Sequence, residues 1–252
     1  MFDTAPLGTR LAVSDVEQRV QVAFSVADEK LQNLLPVKWR PAFSPSGPSE
    51  GSNFMIIFRN RLQATHHDPD STDQTGGPDR GAVLAAVVKN SETRESGVWV
   101  LRSLVANSAS LPGPYGNSQP VTVHMEQQIY AHDHQGGVGV ERWQMQNQDG
   151  QELSIYLRYG IGMPVRSVGE AKVRGGPDPD FSRIYRADRG VDIVRSLPSA
   201  IDRVVEFNFR STLSEFKEIF DGSERVISIS VEPWYIRQVF LHEKAQVSAC
   251  LP

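Results

Sequence analysis

The chain has 252 residues, with 26 Lys and Arg against 30 Asp and Glu for a net charge of −4. That length can bury a full-sized core, and all-β domains often run this long, so one domain over residues 1–252 is expected. The acidic balance argues against a nucleic-acid partner, whose phosphates need a basic footprint, and no run of about 18 apolar residues marks a membrane span.

Residues 1–17 read as a lead-in. Their start, MFDTAPLGTRLAV, lacks the charged and then long apolar layout of a secretory signal. The single cysteine, Cys250, has no partner for an internal disulfide, and a cytoplasmic location is expected. Val20, Val22 and Phe24 then alternate as a strand. A helix near Asp28–Leu35 follows, with Leu31, Leu34 and Leu35 on one face and Pro36 as its stop. Pro41 to Gly51 and Asp68 to Asp79 are loops by composition, the second a candidate flap. Between and after them, Asn53–Phe58 and Gly81–Asn90 are apolar strands.

The stretch from Gly97 to Met163 holds four expected strands, half of the six histidines and the glycine-bearing turns for an antiparallel meander. In its VTVHMEQQIY segment, Val121, Val123, Met125, Gln127 and Ile129 share one face, and Thr122, His124, Glu126, Gln128 and Tyr130 the other. Ser167 to Gly190 reads as a break with strand fragments, and Val191–Ser196 as a strand. Val205, Phe207 and Phe209 form a strand before a second helix, Leu213–Phe220, closed by Gly222. Arg225–Val231 and Pro233–Leu241 end the sheet, with Pro233 marking a bulge or an edge. The strand–helix–strand pattern near Val20 matches the one near Val205, which suggests an internal repeat: Phe24 meets Phe209, Leu31 meets Phe216 and Leu34 meets Ile219.

Ten or more strands and two short helices predict a mainly β (α+β) fold. The expected form is an antiparallel β-barrel or cone-like double sheet with the helices outside. Gly81–Lys89 and Val98–Val105 are apolar on both faces and call for a second covering layer, so a homo-oligomer, a dimer, is expected.

Chemistry-bearing residues concentrate on the polar faces of the meander. His124 and Glu126 form a candidate acid–base pair, joined by Glu141 and Arg142 on the next strand. Tyr156 and Arg158 could hold a substrate carboxylate, and Tyr115 and Trp143 could cap such a pocket. If these faces are solvated instead, the apolar faces form the core. Tyr185, Arg186, Asp188, Arg195 and Asp202 read as solvated charges or structural ion pairs. His132, Asp133 and His134 form a weak metal motif, because strong sites draw ligands from several elements. No metal and no cofactor are expected. Hydrolase, phosphate-loop and dinucleotide motifs are missing.

Three places carry a resemblance. Leu34-Leu35-Pro36 ends an opening strand and helix, Ser110–Tyr130 crosses into long central strands, and Glu141-Arg142 forms an acid–base dipeptide in a central strand. In these the chain resembles the acetoacetate decarboxylase-like superfamily. The resemblance implies the barrel and a cavity for an oxo-acid or another small carbonyl or aromatic compound. The family's decarboxylases use a Schiff-base lysine beside a second lysine, placed a few residues after an Arg–Glu pair. Here no lysine lies between Lys89 and Lys172, and the pair is reversed. The expectation is therefore a small-molecule enzyme working without an imine, by general acid–base chemistry, as a lyase, hydratase or hydrolase. A non-catalytic small-molecule-binding barrel and a metal-dependent cupin-like enzyme are the alternatives.

Overall fold

The computed structural model describes residues 5–67, 77–132 and 136–242, with only the backbone described at Ala131 and His132. The strands are β1 (Thr9–Ser25), β2 (Trp39–Pro41), β3 (Phe54–His66), β4 (Asp79–Asn90), β5 (Ser96–Val105), β6 (Ser118–Pro120) and β7 (Thr122–His132). They continue as β8 (Gly136–Gln146), β9 (Glu152–Gly160), β10 (Val165–Gly175), β11 (Ser182–Ser196), β12 (Ile201–Asp202), β13 (Val204–Ser211) and β14 (Arg225–His242). One α-helix, α1 (Asp28–Gln32), follows β1. No helix among the described residues is long and apolar enough to cross a membrane.

The larger sheet has ten strands, and seven of them pair in a closed cycle. β4 pairs with β3 and β5, β5 with β10, β10 with β11, β11 with β14, β14 with β1, and β1 with β3. The β5–β10 and β5–β6 pairings are parallel, so the sheet is mixed rather than wholly antiparallel. A second sheet of four antiparallel strands runs β13-β9-β8-β7. The expected meander is present as β7, β8 and β9, but its expected first strand, β5, belongs to the large sheet.

Alternation decides what each strand contributes. In β1, Val20, Val22 and Phe24 point out of the ring, where they meet Phe54, Ile56 and Phe58 of β3 and Leu84 and Val88 of β4. Trp143, Met145, Leu153, Ile155 and Leu157 of the smaller sheet close on them. The main apolar core therefore lies between the ring's outer face and the second sheet. The opposite faces of the same strands, including Arg19 and Gln21 of β1, turn into the ring.

Three expectations need correction. The lead-in is strand from Thr9 onward, with Asp15 turned to the ring interior and Glu17 buried rather than solvated. The break at Ser167 to Gly190 contains β10 and the first part of β11; small and charged residues hide a strand that sends Gly169 and Ala171 to the cavity while Val168 is exposed. The second helix over Leu213–Phe220 is a 3-10 turn at Ser214–Phe216 followed by a further tight turn. A three-residue apolar spacing suits a 3-10 turn as well as an α-helix. The two supposed repeat units also differ in place, β1 in one sheet and β13 in the other; their matched Phe24 and Phe209 pack together, ring centroids 5.2 Å apart.

The bulge at Pro233 is real, but the strand is central, not an edge. Arg19 pairs with Glu232 and Glu17 with Tyr235, leaving Pro233 and Trp234 opposite Gln18 alone, one residue in excess. The two apolar faces of β4 also find their cover within the chain: Ala82, Leu84 and Ala86 meet the core, and Val83 and Ala85 line the ring interior. The candidate flap at residues 68–76 lies outside the described residues.

Asn53 ties the turn after β1 to the start of β3. Its amide accepts from Val26 N at 2.9 Å and donates to Val26 O and to Asp28 Oδ1, both at 2.9 Å. It is fully buried, so removing it strands a backbone N–H and a carbonyl. Asn53→Ala should cost about 2–6 kcal/mol, the sum of two such losses, measured by urea unfolding.

Candidate functional site

The ring encloses a cavity of about 810 Å³. Its walls divide by strand. β1, β3, β11 and β14 send in Asp15, Arg19, Arg59, Arg61, Arg183, Tyr185, Arg189, Tyr235 and Arg237. β4, β5 and β10 send in Val83, Ala85, Val98, Val100, Ala171 and Val173. A strap from Ala109 to Ser118, between β5 and β6, closes over one side with Leu111, Pro112, Pro114 and Tyr115. The described lining residues include no lysine.

The charged wall is an ionic network. Glu17 is fully buried and faces Arg19 at 2.6 Å, Arg237 at 3.3 Å and Arg59 at 3.6 Å. Burial alone would raise its carboxyl, but these three guanidiniums outweigh it and hold the group well below the usual range. Asp15 takes the other side of Arg237 at 2.5 Å, and there burial prevails and pushes the carboxyl up. Two carboxylates bridged by one arginine are thus driven in opposite directions. Arg59 also reaches Asp79 at 2.9 Å, and Arg189 holds Glu232 at 2.8 Å. Burial raises Glu232 against the pull of Arg19 and Arg189. The Arg19 guanidinium stacks on the Tyr235 ring, 3.4 Å from its centroid.

Tyr115 connects the strap to this wall. Its hydroxyl donates to Tyr185 Oη at 3.0 Å and approaches Val173 O at 3.3 Å. Burial, helped by Tyr185, raises its pKa well above the ordinary phenol value. The strap seats on Gly175 and Gly176; a Cβ at Gly176, whose φ is +79°, would lie 2.0 Å from Tyr115 O.

Of the eight residues singled out from the sequence, Tyr115 lines this cavity. Glu126, Arg142, Tyr156 and Arg158 do come together, but on the face of the smaller sheet that points to solvent. There Arg142 pairs with Glu126 at 3.2 Å and lies 5.4 Å from the Tyr156 ring, around a shallow depression of about 390 Å³. His124 is exposed on the same sheet. Trp143 is core, its ring 5.9 Å from Phe58. Glu141 is buried between the sheets, accepting from Gln127 Nε2 at 2.6 Å and Trp143 Nε1 at 3.3 Å. The motif at His132, Asp133 and His134 ends β7 and passes outside the described residues. Among the described residues no three of His, Cys, Asp and Glu gather as metal ligands.

The residues that line the cavity carry a readable signal: charged or aromatic side chains two apart, as in Asp15-Glu17-Arg19, Arg59-Arg61, Arg183-Tyr185 and Tyr235-Arg237. Spacing of two places each set on one strand face.

No family model and no curated protein matches the sequence significantly. Solved structures do. An acetoacetate decarboxylase-like enzyme from Sphingomonas wittichii RW1 superposes with TM-score 0.54 at 13% identity, covering 95% of this chain and 94% of that one. The chain has the acetoacetate decarboxylase-like fold. Within that fold, the enduracididine biosynthesis enzyme MppR complexed with pyruvate gives TM-score 0.52 at 10% identity, over 96% of this chain and 91% of that one. Acetoacetate decarboxylase from Legionella pneumophila gives 0.50 at 10%, over 95% and 90%.

Outside the cavity of this decarboxylase-like fold, Glu141 offers a pH test. Burial raises its carboxyl from 4.5 to about 7, against the hydrogen bonds from Gln127 and Trp143. The folded state then binds the proton more tightly than the unfolded chain. Stability should be fully present below about pH 4.5, fall as pH rises toward 7, and stay level above, losing about 3 kcal/mol in total. Glu141→Gln should flatten that fall in melts recorded from pH 4 to pH 8.

Proposed function

We propose that the chain is a small-molecule enzyme whose active site is the ring cavity. It works on an oxo-acid or a related carbonyl compound by general acid–base chemistry, without a Schiff-base lysine. The observation that carries this is the pair Asp15 and Glu17 bridged by Arg237. Environments that push two carboxyls apart separate a proton carrier from a fixed charge. Asp15 lines the cavity with its pKa raised and serves as the proton carrier. Glu17 stays ionised and holds Arg19, Arg59 and Arg237 in place. The guanidinium wall suits an anionic substrate, and a solved protein of the same fold is complexed with pyruvate.

The absence of lysine from the described lining supports a route without an imine. A lone amine brought close to a carbonyl substrate would be needed for one. Proton exchange at the carbon beside the substrate carbonyl needs only a base, an acid and cations to stabilise the enolate oxygen. Asp15, the Tyr185 hydroxyl and the neighbouring arginines supply those roles.

Borohydride added with 2-oxo acids should leave the protein mass unchanged, and a reduced adduct on any lysine would refute the imine-free route. With a substrate in hand, Asp15→Asn should lower turnover by roughly 10²-fold or more while leaving substrate binding nearly intact. The same assay decides between the cavity and the solvent face of β7–β9. His124→Ala and Arg158→Lys alter turnover only if that outer face carries the reaction.

A further inference from the structure

We infer that the cavity takes a carboxylate borne on a bulky apolar body, and that Arg183 is the group that anchors the carboxylate; this rests on the assignment of the site to the ring cavity. The arginines on the charged wall are not equivalent. Arg19 is committed to Glu17 at 2.6 Å, Arg59 to Asp79 at 2.9 Å with Arg61 beside the same carboxylate at 3.9 Å, Arg189 to Glu232 at 2.8 Å and Arg237 to Asp15 at 2.5 Å. A ligand carboxylate at any of these would have to displace a buried carboxylate already in place.

Arg183 differs. Its guanidinium has aromatic rings for neighbours, Tyr115 at 5.8 Å and Phe181 at 5.7 Å, and its Nε is buried without a hydrogen-bond acceptor. A buried N–H without an acceptor is costly, and an arriving acceptor removes that cost. The site is also held ready. Tyr115 is fixed by its bonds to Tyr185 and Val173 O, so the ring beside Arg183 has little freedom. A planar guanidinium can meet a carboxylate with two parallel hydrogen bonds, a geometry that lysine does not match.

The strand register says where the rest of the ligand goes. Arg183 pairs with Val173 of β10, and Val173 pairs with Val98 of β5, which pairs with Val87 of β4. The apolar wall therefore begins beside Arg183 and continues through Val98, Val100, Val83 and Ala85. A carboxylate on Arg183 lays its substituent along an apolar surface, where the one charged lining residue of β4, β5 and β10 among those described, Glu170, is already paired with Arg186 at 2.7 Å. At about 810 Å³ the cavity is far larger than a three-carbon acid fills; pockets of roughly 300–1,000 Å³ enclose drug-sized ligands. An arylalkyl or long branched 2-oxo acid matches both walls.

Titration calorimetry with three probes tests this: phenylpyruvate, pyruvate, and phenylacetone, which keeps the ring and ketone but lacks the carboxylate. Phenylpyruvate should bind at least about tenfold more tightly than either of the others. Arg183→Gln should weaken phenylpyruvate by about tenfold or more and erase its advantage over phenylacetone, whereas Arg183→Lys should retain part of it. Val100→Trp, which fills the apolar wall, should weaken phenylpyruvate and spare pyruvate. Circular dichroism melts confirm that each variant is folded. If Arg183→Gln binds phenylpyruvate as the parent does, the anchor is overturned, and if pyruvate binds as tightly as phenylpyruvate, the substrate class is overturned; an effect of Val100→Trp keeps the cavity as the site in either case. If none of the probes binds, the anchor and the substrate class fall; if phenylpyruvate binds and neither Arg183→Gln nor Val100→Trp changes it, the cavity assignment itself falls, and the anchor with it.

Discussion

The structure depends on closing a ring of strands around charged side chains. Asp15, Glu17, Asp79 and Glu232 are each almost wholly removed from water, and each is met by at least one arginine from another position on the wall. Taking such ions out of water costs several kcal/mol apiece, and a buried pair does little better than break even against an apolar replacement. The network is therefore not what makes the fold stable. It is what the fold must satisfy in order to keep a polar interior. Stability comes from the other face of the same strands, where Val20, Val22, Phe24, Phe54, Ile56 and Phe58 pack against the second sheet. Alternation along each strand separates the two tasks, so the residue that holds the fold and the residue that meets the ligand are chain neighbours.

Glu141 shows the alternative within the same molecule. It is a carboxyl as deeply buried as those in the ring, yet it has an amide and an indole for partners and no cation. Its pKa rises to about 7, whereas Glu17, among three arginines, is held low. Burial acts on both in the same direction, and the difference is the company of guanidiniums. This is why the ring can hold the Glu17 carboxyl low in a space shielded from water, while Asp15 and Glu232, with fewer guanidiniums around them, are raised by burial as Glu141 is.

Much of this was legible in the residues, and what was not has a physical reason. Alternation identified β7, β8, β9 and the second half of β1, and it sorted their side chains correctly into two faces. It could not say which face turns toward a cavity, because that depends on which sheet a strand joins. The polar faces holding Glu126, Arg142, Tyr156 and Arg158 point to solvent since β7–β9 cover the ring from outside. The N-terminal half of β1 and all of β10 were obscured by their inward residues. Charged Asp15, Glu17 and Arg19 and small Gly169 and Ala171 do not look like strand interiors unless a polar cavity is already assumed. The sequence reading of Tyr185, Arg186 and Asp188 as solvated or ion-paired holds for Arg186 and Asp188, which pair with Glu170 and Arg166, while Tyr185 turns inward. The second helix failed for a different reason, since a three-residue apolar repeat over one short segment does not distinguish an α-helix from successive tight turns.

The same division explains how one fold can be kept at 10–13% identity. Substitutions on the outer face open or overfill a close-packed core and are resisted at each position. On the inner face the space is partly empty, so size matters less and charge matters more. Losing Arg237 alone would leave both Asp15 and Glu17 short of a partner, and losing Asp15 alone would leave Arg237 leaning on Glu17. Single changes within the network are therefore costly, and its members are expected to change in sets. Arg183 stands apart from that constraint. No carboxylate among the described residues is committed to it, so it can be exchanged without stranding a buried charge. If the cavity is the site we propose, the committed arginines preserve its environment, and Arg183 can follow the ligand.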